Sequence, residues 1–200
     1  MKLIAFDPSM TCVGWAVMSR EPGGPDAGEL VAAGTIRTDA LEASQTIARI
    51  QLIGREVKAL VEDEEPSIVA IELPSTFVPS QGRGMQRRGQ PNYGMAVGAV
   101  IDAVSVPFNF KQRRPVTPPR VIGWPPDVWT RALPSGVRTT RDDKYKTARV
   151  EHAARMFNRR PEDFGPKTRA GDVADAVLIG RYAMLATASE TMMQQWRAGA

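Results

Sequence analysis

The chain has 200 residues, 42% of them apolar and 24% charged, with a net charge of +4. That is enough chain for one domain with a substantial core, and the mild basic excess suits a polyanionic partner. A single cysteine, Cys12, excludes a disulfide framework and a cysteine-based zinc site, and no apolar run approaches the roughly 20 residues that span a bilayer.

The N-terminus enters a strand-like run at once, without the charged-then-apolar order of a signal peptide. A soluble protein of a reducing compartment is expected. Leu3 to Phe6 reads as a short buried strand and Cys12 to Met18 as a second, with Val13, Trp15 and Val17 alternating against smaller residues. After the turn cluster SREPGGPDAG, ELVAAGTIRT is a third strand, so the opening predicts an antiparallel three-strand meander. A helix is expected from about Leu41 to Glu64, with Ile47, Ile50, Ile53, Val57 and Leu60 near helical spacing and Arg49, Arg55 and Lys58 on other faces. SIVAIE, residues 67–72, is a near-continuous apolar run of the kind found in parallel strands covered on both faces.

A loop rich in Gly, Pro, Gln and Arg follows, then a helix from Gly94 to Val104 in which Ala96, Gly98, Ala99 and Ala103 allow close packing. VPFNF reads as a further strand, and KQRRPVTPPRVIGWPP as a second basic, proline-rich connection. A short helix is expected to start near Pro125 or Pro126, with LPSGVRTTRDD as a third loop. Lys144 to Phe157 and Asp172 to about Ala188 read as the last two helices, and TMMQQWRAGA as a short tail. Trp124 and Trp129, set among prolines, suit core or hinge packing, with base stacking as the alternative. The whole predicts one mixed α/β domain over residues 1–190 and a tail over 191–200.

Three blocks carry acids where packing alone does not require them. Asp7 ends the first strand, Glu72 ends the later buried strand, and Asp172 and Asp175 open the last helix three residues apart, so both can face one way. If the two strands are parallel neighbours, their carboxylates converge beyond the strand ends, where open α/β sheets place their sites. Each acid also has a structural alternative: a turn at Asp7-Pro8, an ion pair for Glu72, a helix-start acid for Asp172. Together, with no sulfur ligand and one distant histidine, they suit a hard cation such as Mg²⁺ or Mn²⁺. Two such ions can clamp the attacking water and the leaving oxygen of a phosphodiester. The basic loops would then hold a nucleic-acid backbone.

The ordered blocks IAFDPSMTCVGWAV, IVAIELP, NYGMAVGAVIDAV and GDVADAVLIG resemble the RuvC family of Holliday junction resolvases, within the RNase H-like and retroviral-integrase superfamily. The likeness spans nearly the whole chain. It implies a mixed β-sheet of three antiparallel strands plus parallel strands, flanked by helices. It implies a metal-dependent endonuclease that works as a homodimer and resolves four-way DNA junctions by paired symmetric nicks, with Asp7, Glu72, Asp172 and Asp175 as catalytic metal ligands. DDKYKTARVEHAARMF is similar to the segment that carries the family's active-site lysine, which leaves Lys144 and Lys146 as candidates. Phe77 stands a little beyond the family's aromatic wedge position. Arg83, Arg87, Arg88, Lys111, Arg113, Arg114 and Arg141 are the expected DNA-binding residues. Ser9 replaces a frequent glycine, a mild change, and Thr11 is expected to help shape the Asp7 turn.

A cytoplasmic location in a bacterial or phage-infected cell is expected, with branch-migration machinery as a further partner and no membrane. The competing readings are an RNase H-like nuclease acting on other branched or single-stranded nucleic acid, and a non-catalytic DNA-binding relative. An actin-like or sugar-kinase ATPase lacks its second phosphate loop here. An exonuclease of the superfamily would show Asp-x-Glu in the first block.

Overall fold

In the computed structural model the described residues are 1–21, 24, 27–74, 90–105, 108–109, 114–115, 117–138 and 143–198, with the backbone alone described at 90, 108–109, 114–115, 143–145 and 191–198. Strands β1 (Lys2–Asp7), β2 (Cys12–Ser19) and β3 (Glu29–Arg37) form the expected antiparallel meander. Strand β4 (Ile68–Glu72) pairs in parallel with β1 on its free side. Strands β5 (Phe108–Asn109) and β6 (Arg114–Pro115) form a separate two-stranded ladder. Strand β7 (Arg120–Trp124) adds in parallel to β4, so the main sheet runs β3-β2-β1-β4-β7.

Helices α1 (Thr46–Glu64) and α2 (Gln90–Val104) cover one face of this sheet. The short helices α3 (Pro126–Trp129) and α4 (Ser135–Arg138) lead to α5 (Asp143–Met156), and with α6 (Ala170–Ala198) they cover the other. The strand alternation explains both cores. Leu3, Ala5, Ala16, Met18, Ile68 and Ala70 face α5 and α6, while Ile4, Phe6, Val13, Val17, Val69 and Ile71 face α1 and α2. Ile4, Phe6 and Ile71 are wholly buried. Each contributes about 1.5–3 kcal/mol, which offsets the cost of the carboxylates that end the same strands.

The structure alters several expectations. The strand that completes the main sheet is Arg120–Trp124, inside the stretch read as a basic connection, and VPFNF contributes only to the small ladder. Helix α1 starts at Thr46 rather than near Leu41, because the Leu41 carbonyl accepts a hydrogen bond from the Arg49 guanidinium and the Glu42 N–H is taken by the Gln45 side chain. Arg49 is therefore buried and Ile47 exposed, the reverse of the expected faces. Gly98 lies on an exposed side of α2 with nothing near it, so close packing there rests on Ala96, Ala99 and Ala103. A short helix interrupts the third loop, and α6 continues through most of the stretch read as a tail. Among the described residues no helix is long and apolar enough to cross a membrane.

Candidate active site

The pleat directs both strand-end acids to the same face. Asp7 follows Ala5 by two residues and Glu72 follows Ala70 by two, and both alanines face α6. Parallel pairing of β1 with β4 runs to Phe6 opposite Ile71, so the two carboxylates leave neighbouring strands at the same level. Just after Asp7, the Ser9 hydroxyl accepts from the Cys12 N–H and donates to the Cys12 carbonyl, closing the turn into β2. This is the work expected of Thr11, whose backbone carbonyl instead accepts from the Thr38 N–H.

Helix α6 crosses this sheet edge closely. Opposite Asp7 on β2 stands Gly14, and a Cβ there would overlap the Asp172 carbonyl oxygen and lie 2.6 Å from its carbon. The start of α6 is also tied to the end of β3. Asp39 accepts two bonds from Arg37, at 3.0 and 2.8 Å, and one from Arg169 at 3.1 Å. The first turns of α6 thus present Asp172 and Asp175 above Asp7 and Glu72.

Each acid except Asp7 has a defined partner. Lys146 Nζ lies 3.2 Å from Asp172 Oδ1, and Arg149 Nη1 donates to both Asp175 oxygens at 2.7 and 2.8 Å. The two pairs form successive rungs between α5 and α6, three residues apart on each helix. Glu72 accepts from the Trp129 indole at 2.9 Å and from the Tyr93 hydroxyl at 3.1 Å. Arg149 also stacks 5.2 Å over the Trp129 ring. Among the described residues no side chain donates a hydrogen bond to Asp7.

The electrostatics are those of crowded, buried acids. Burial, then Glu72, Asp175 and Asp172, hold the Asp7 carboxyl well above the usual carboxylate range. Burial and Asp175 push Glu72 up to about 7, although Trp129, Tyr93 and Arg149 pull it back. Burial also raises Asp175, even with Arg149 against it. Burial works against the Lys146 ammonium, but Asp172, Asp175 and Asp7 outweigh it and keep it charged. Burial and Asp172 push the Cys12 thiol up to about 12, which makes it a poor nucleophile.

This donor set suits a hard divalent cation. It offers oxygen only, and four carboxylates against Lys146 and Arg149 leave a formal excess of two negative charges. In the structure the acids turn to these internal partners. Among the described residues no three His, Cys, Asp or Glu side chains meet in a ready ligand cluster. Asp7, Glu72, Asp172 and Asp175 are the residues that would hold the ion.

Of the two candidate lysines, Lys146 reaches the site, while the Lys144 side chain lies outside the described residues. Phe77, Arg83, Arg87, Arg88, Lys111, Arg113 and Arg141 also lie outside them, and Arg114 is described only as backbone in β6. Sequence reasoning missed Arg149 and Tyr93, and it read Trp129 as packing. The one available signal for Arg149 was its spacing, since Lys146-x-x-Arg149 matches Asp172-x-x-Asp175.

Trp129→Phe tests the support of Glu72. Metal ligation needs the carboxylate ionised, so affinity should rise as pH passes about 7. A hydrogen bond to a charged group is worth about 1.5–3 kcal/mol, so losing the indole donor should move that midpoint up by about 1–2 pH units. Mn²⁺ affinity measured from pH 5.5 to 9 reads it, and an unmoved midpoint would remove Trp129 from this role.

No protein-family model matches the chain. No curated protein matches it in sequence. Solved structures match over nearly its whole length. T. thermophilus RuvC, in complex with a Holliday junction substrate, is 18% identical over 96% of this chain and 97% of that one, with a TM-score of 0.64. The yeast mitochondrial Holliday junction resolvase is 12% identical over 97% and 83%, with a TM-score of 0.58. The fowlpox virus resolvase, also in complex with junction DNA, is 13% identical over 94% and 99%, with a TM-score of 0.52. The likeness is one of fold: the mixed five-stranded sheet between helices is the RNase H-like α/β fold of RuvC and related Holliday junction resolvases.

Proposed function

We propose that the protein is a metal-dependent, structure-selective DNA endonuclease that resolves Holliday junctions by paired symmetric nicks, acting as a homodimer. The observation that carries this is the delivery of Asp7 and Glu72, from parallel neighbouring strands, to the face that α6 covers with Asp172 and Asp175. The neighbouring structures with junction DNA support the choice of substrate.

The four carboxylates would hold Mg²⁺ or Mn²⁺, with two ions in the complete site. Bound there, the metal would supply an activated water and charge stabilisation at the leaving 3′ oxygen. The chain's own residues prepare the rest. Trp129 and Tyr93 fix both oxygens of Glu72, so its orientation is set before substrate arrives. Lys146, with its side chain 61% exposed, can leave Asp172 and meet the negative charge of the scissile phosphate. Arg83, Arg87, Arg88, Lys111, Arg113, Arg114 and Arg141 would grip the backbone, and Phe77 would wedge the junction. Such an enzyme would work in the cytoplasm of a bacterial or phage-infected cell, alongside branch-migration machinery.

A substrate panel tests the reading. With Mg²⁺, a mobile four-way junction should be cut in two symmetric strands at least about tenfold faster than a flap, linear duplex or single strand, a discrimination of about 1.4 kcal/mol. Equal rates across the panel would favour the broader nuclease. Tight junction binding without cleavage would favour a non-catalytic relative.

A further inference from the structure

One cation of the site is built into the fold. The Arg149 side chain is 6% exposed against 61% for Lys146, so the two counter-ions are not equivalent. Arg149 Nη1 holds both Asp175 oxygens, while Nε points to the Val137 carbonyl and Nη2 to the Arg138 carbonyl, each at 3.4 Å. It also stacks on the face of Trp129, the residue that donates to Glu72. A guanidinium does not lose its proton in a protein, and this one is almost fully buried with its charge paired by Asp175. Lys146 can swing away from Asp172 into solvent, but Arg149 stays.

We propose that Arg149 is a positioning residue, the resident counter-cation of Asp175, and that it limits the DNA-free protein to one tightly held divalent ion. This rests on the metal-dependent reading above. The ion enters on the Asp7–Asp172 side, where among the described residues no side chain donates to Asp7 and Lys146 is the more exposed of the two cations. With Lys146 swung out and Arg149 in place, four ionised carboxylates carry a formal three net negative charges, and one divalent ion leaves one. A second ion would have to share the Asp175 oxygens with a fixed positive charge and would leave the site net positive.

Mn²⁺ titration of the DNA-free full chain tests this, by calorimetry with bound ions counted by electron paramagnetic resonance. The wild type should bind one ion, with a second at least tenfold weaker. Arg149→Gln should tighten the second ion at least tenfold, and Mn²⁺ should raise its unfolding temperature more than that of the wild type. Arg149→Lys, which keeps the charge, should retain the one-ion behaviour. A glue role alone would lower the unfolding temperature of Arg149→Gln and leave its second binding constant unchanged, which overturns the proposal. Wild-type binding of two ions within tenfold of each other overturns it too, whether or not the variant folds. Failure of the wild type to bind any Mn²⁺ removes the metal-dependent reading itself, and so separates the two failures.

Discussion

Asp7→Asn is expected to reduce junction cleavage by on the order of 10³-fold or more, because removing even one preorganised electrostatic partner commonly costs about 10²–10³. Junction binding should survive. The same substitution is expected to stabilise the metal-free protein. Burial and three neighbouring acids raise the Asp7 carboxyl in the folded state, so the folded chain holds this proton more tightly than the unfolded one. The stability from this group is then full below the unfolded value of about 3.9 and is lost as pH rises through the folded value. Asparagine has no such charge to bury. Denaturant unfolding in a chelator should show wild type and variant converging near pH 4 and the variant pulling ahead toward pH 8. A site that gives up stability for function has this signature. Persistent cleavage, or identical stability at pH 8, would sink the assignment of Asp7.

How much of this was legible depends on the range of the interactions. The Asp7 and Glu72 strands announced themselves because both faces are buried and the runs are unbroken until the acid. The Asp172–Asp175 pair was readable because helical spacing is local. Strand β7 was hidden, since it is an edge strand with Arg120 and Val121 exposed, set among prolines, and only its pairing with β4 makes it a strand. Arg149 was missed for a related reason. An arginine on a helix reads as surface, and its burial is set by an acid 26 residues away. Arg49 misled in the same way, its guanidinium having folded back onto the Leu41 carbonyl. Local periodicity shows which residues face inward. It does not show which charged group will be paired there.

Gly14→Ala should damage the site without touching any carboxylate. At several described glycines, such as Gly54, Gly98 and Gly136, an added methyl meets open space, and at others, such as Gly171, a side chain. At Gly14 it meets backbone on the far side: the carbonyl of Asp172, with the Val173 nitrogen 3.3 Å away. Neither can move unless α6 moves, and α6 is packed along the sheet, where a Cβ on Gly180 would already lie 3.2 Å from that of Ala5. Overpacking of this kind costs about 1–3 kcal/mol, more where both partners are backbone. The larger consequence is geometric. Asp172 and Asp175 sit on the displaced turns, so both rungs to Lys146 and Arg149 shift away from Asp7 together. Metal affinity should therefore fall at least about tenfold, roughly 1.4 kcal/mol, beyond any loss of folding stability. Gly54→Ala on α1 is the matched control. Nothing lies within 4 Å of its added methyl, and a helix-interior glycine replaced by alanine should gain about 0.5–1 kcal/mol. Thermal unfolding of the pair should move in opposite directions, and Mn²⁺ affinity should fall in Gly14→Ala alone. If Gly14→Ala unfolds and binds metal as the wild type does, close approach of α6 at Gly14 is not what sets the site.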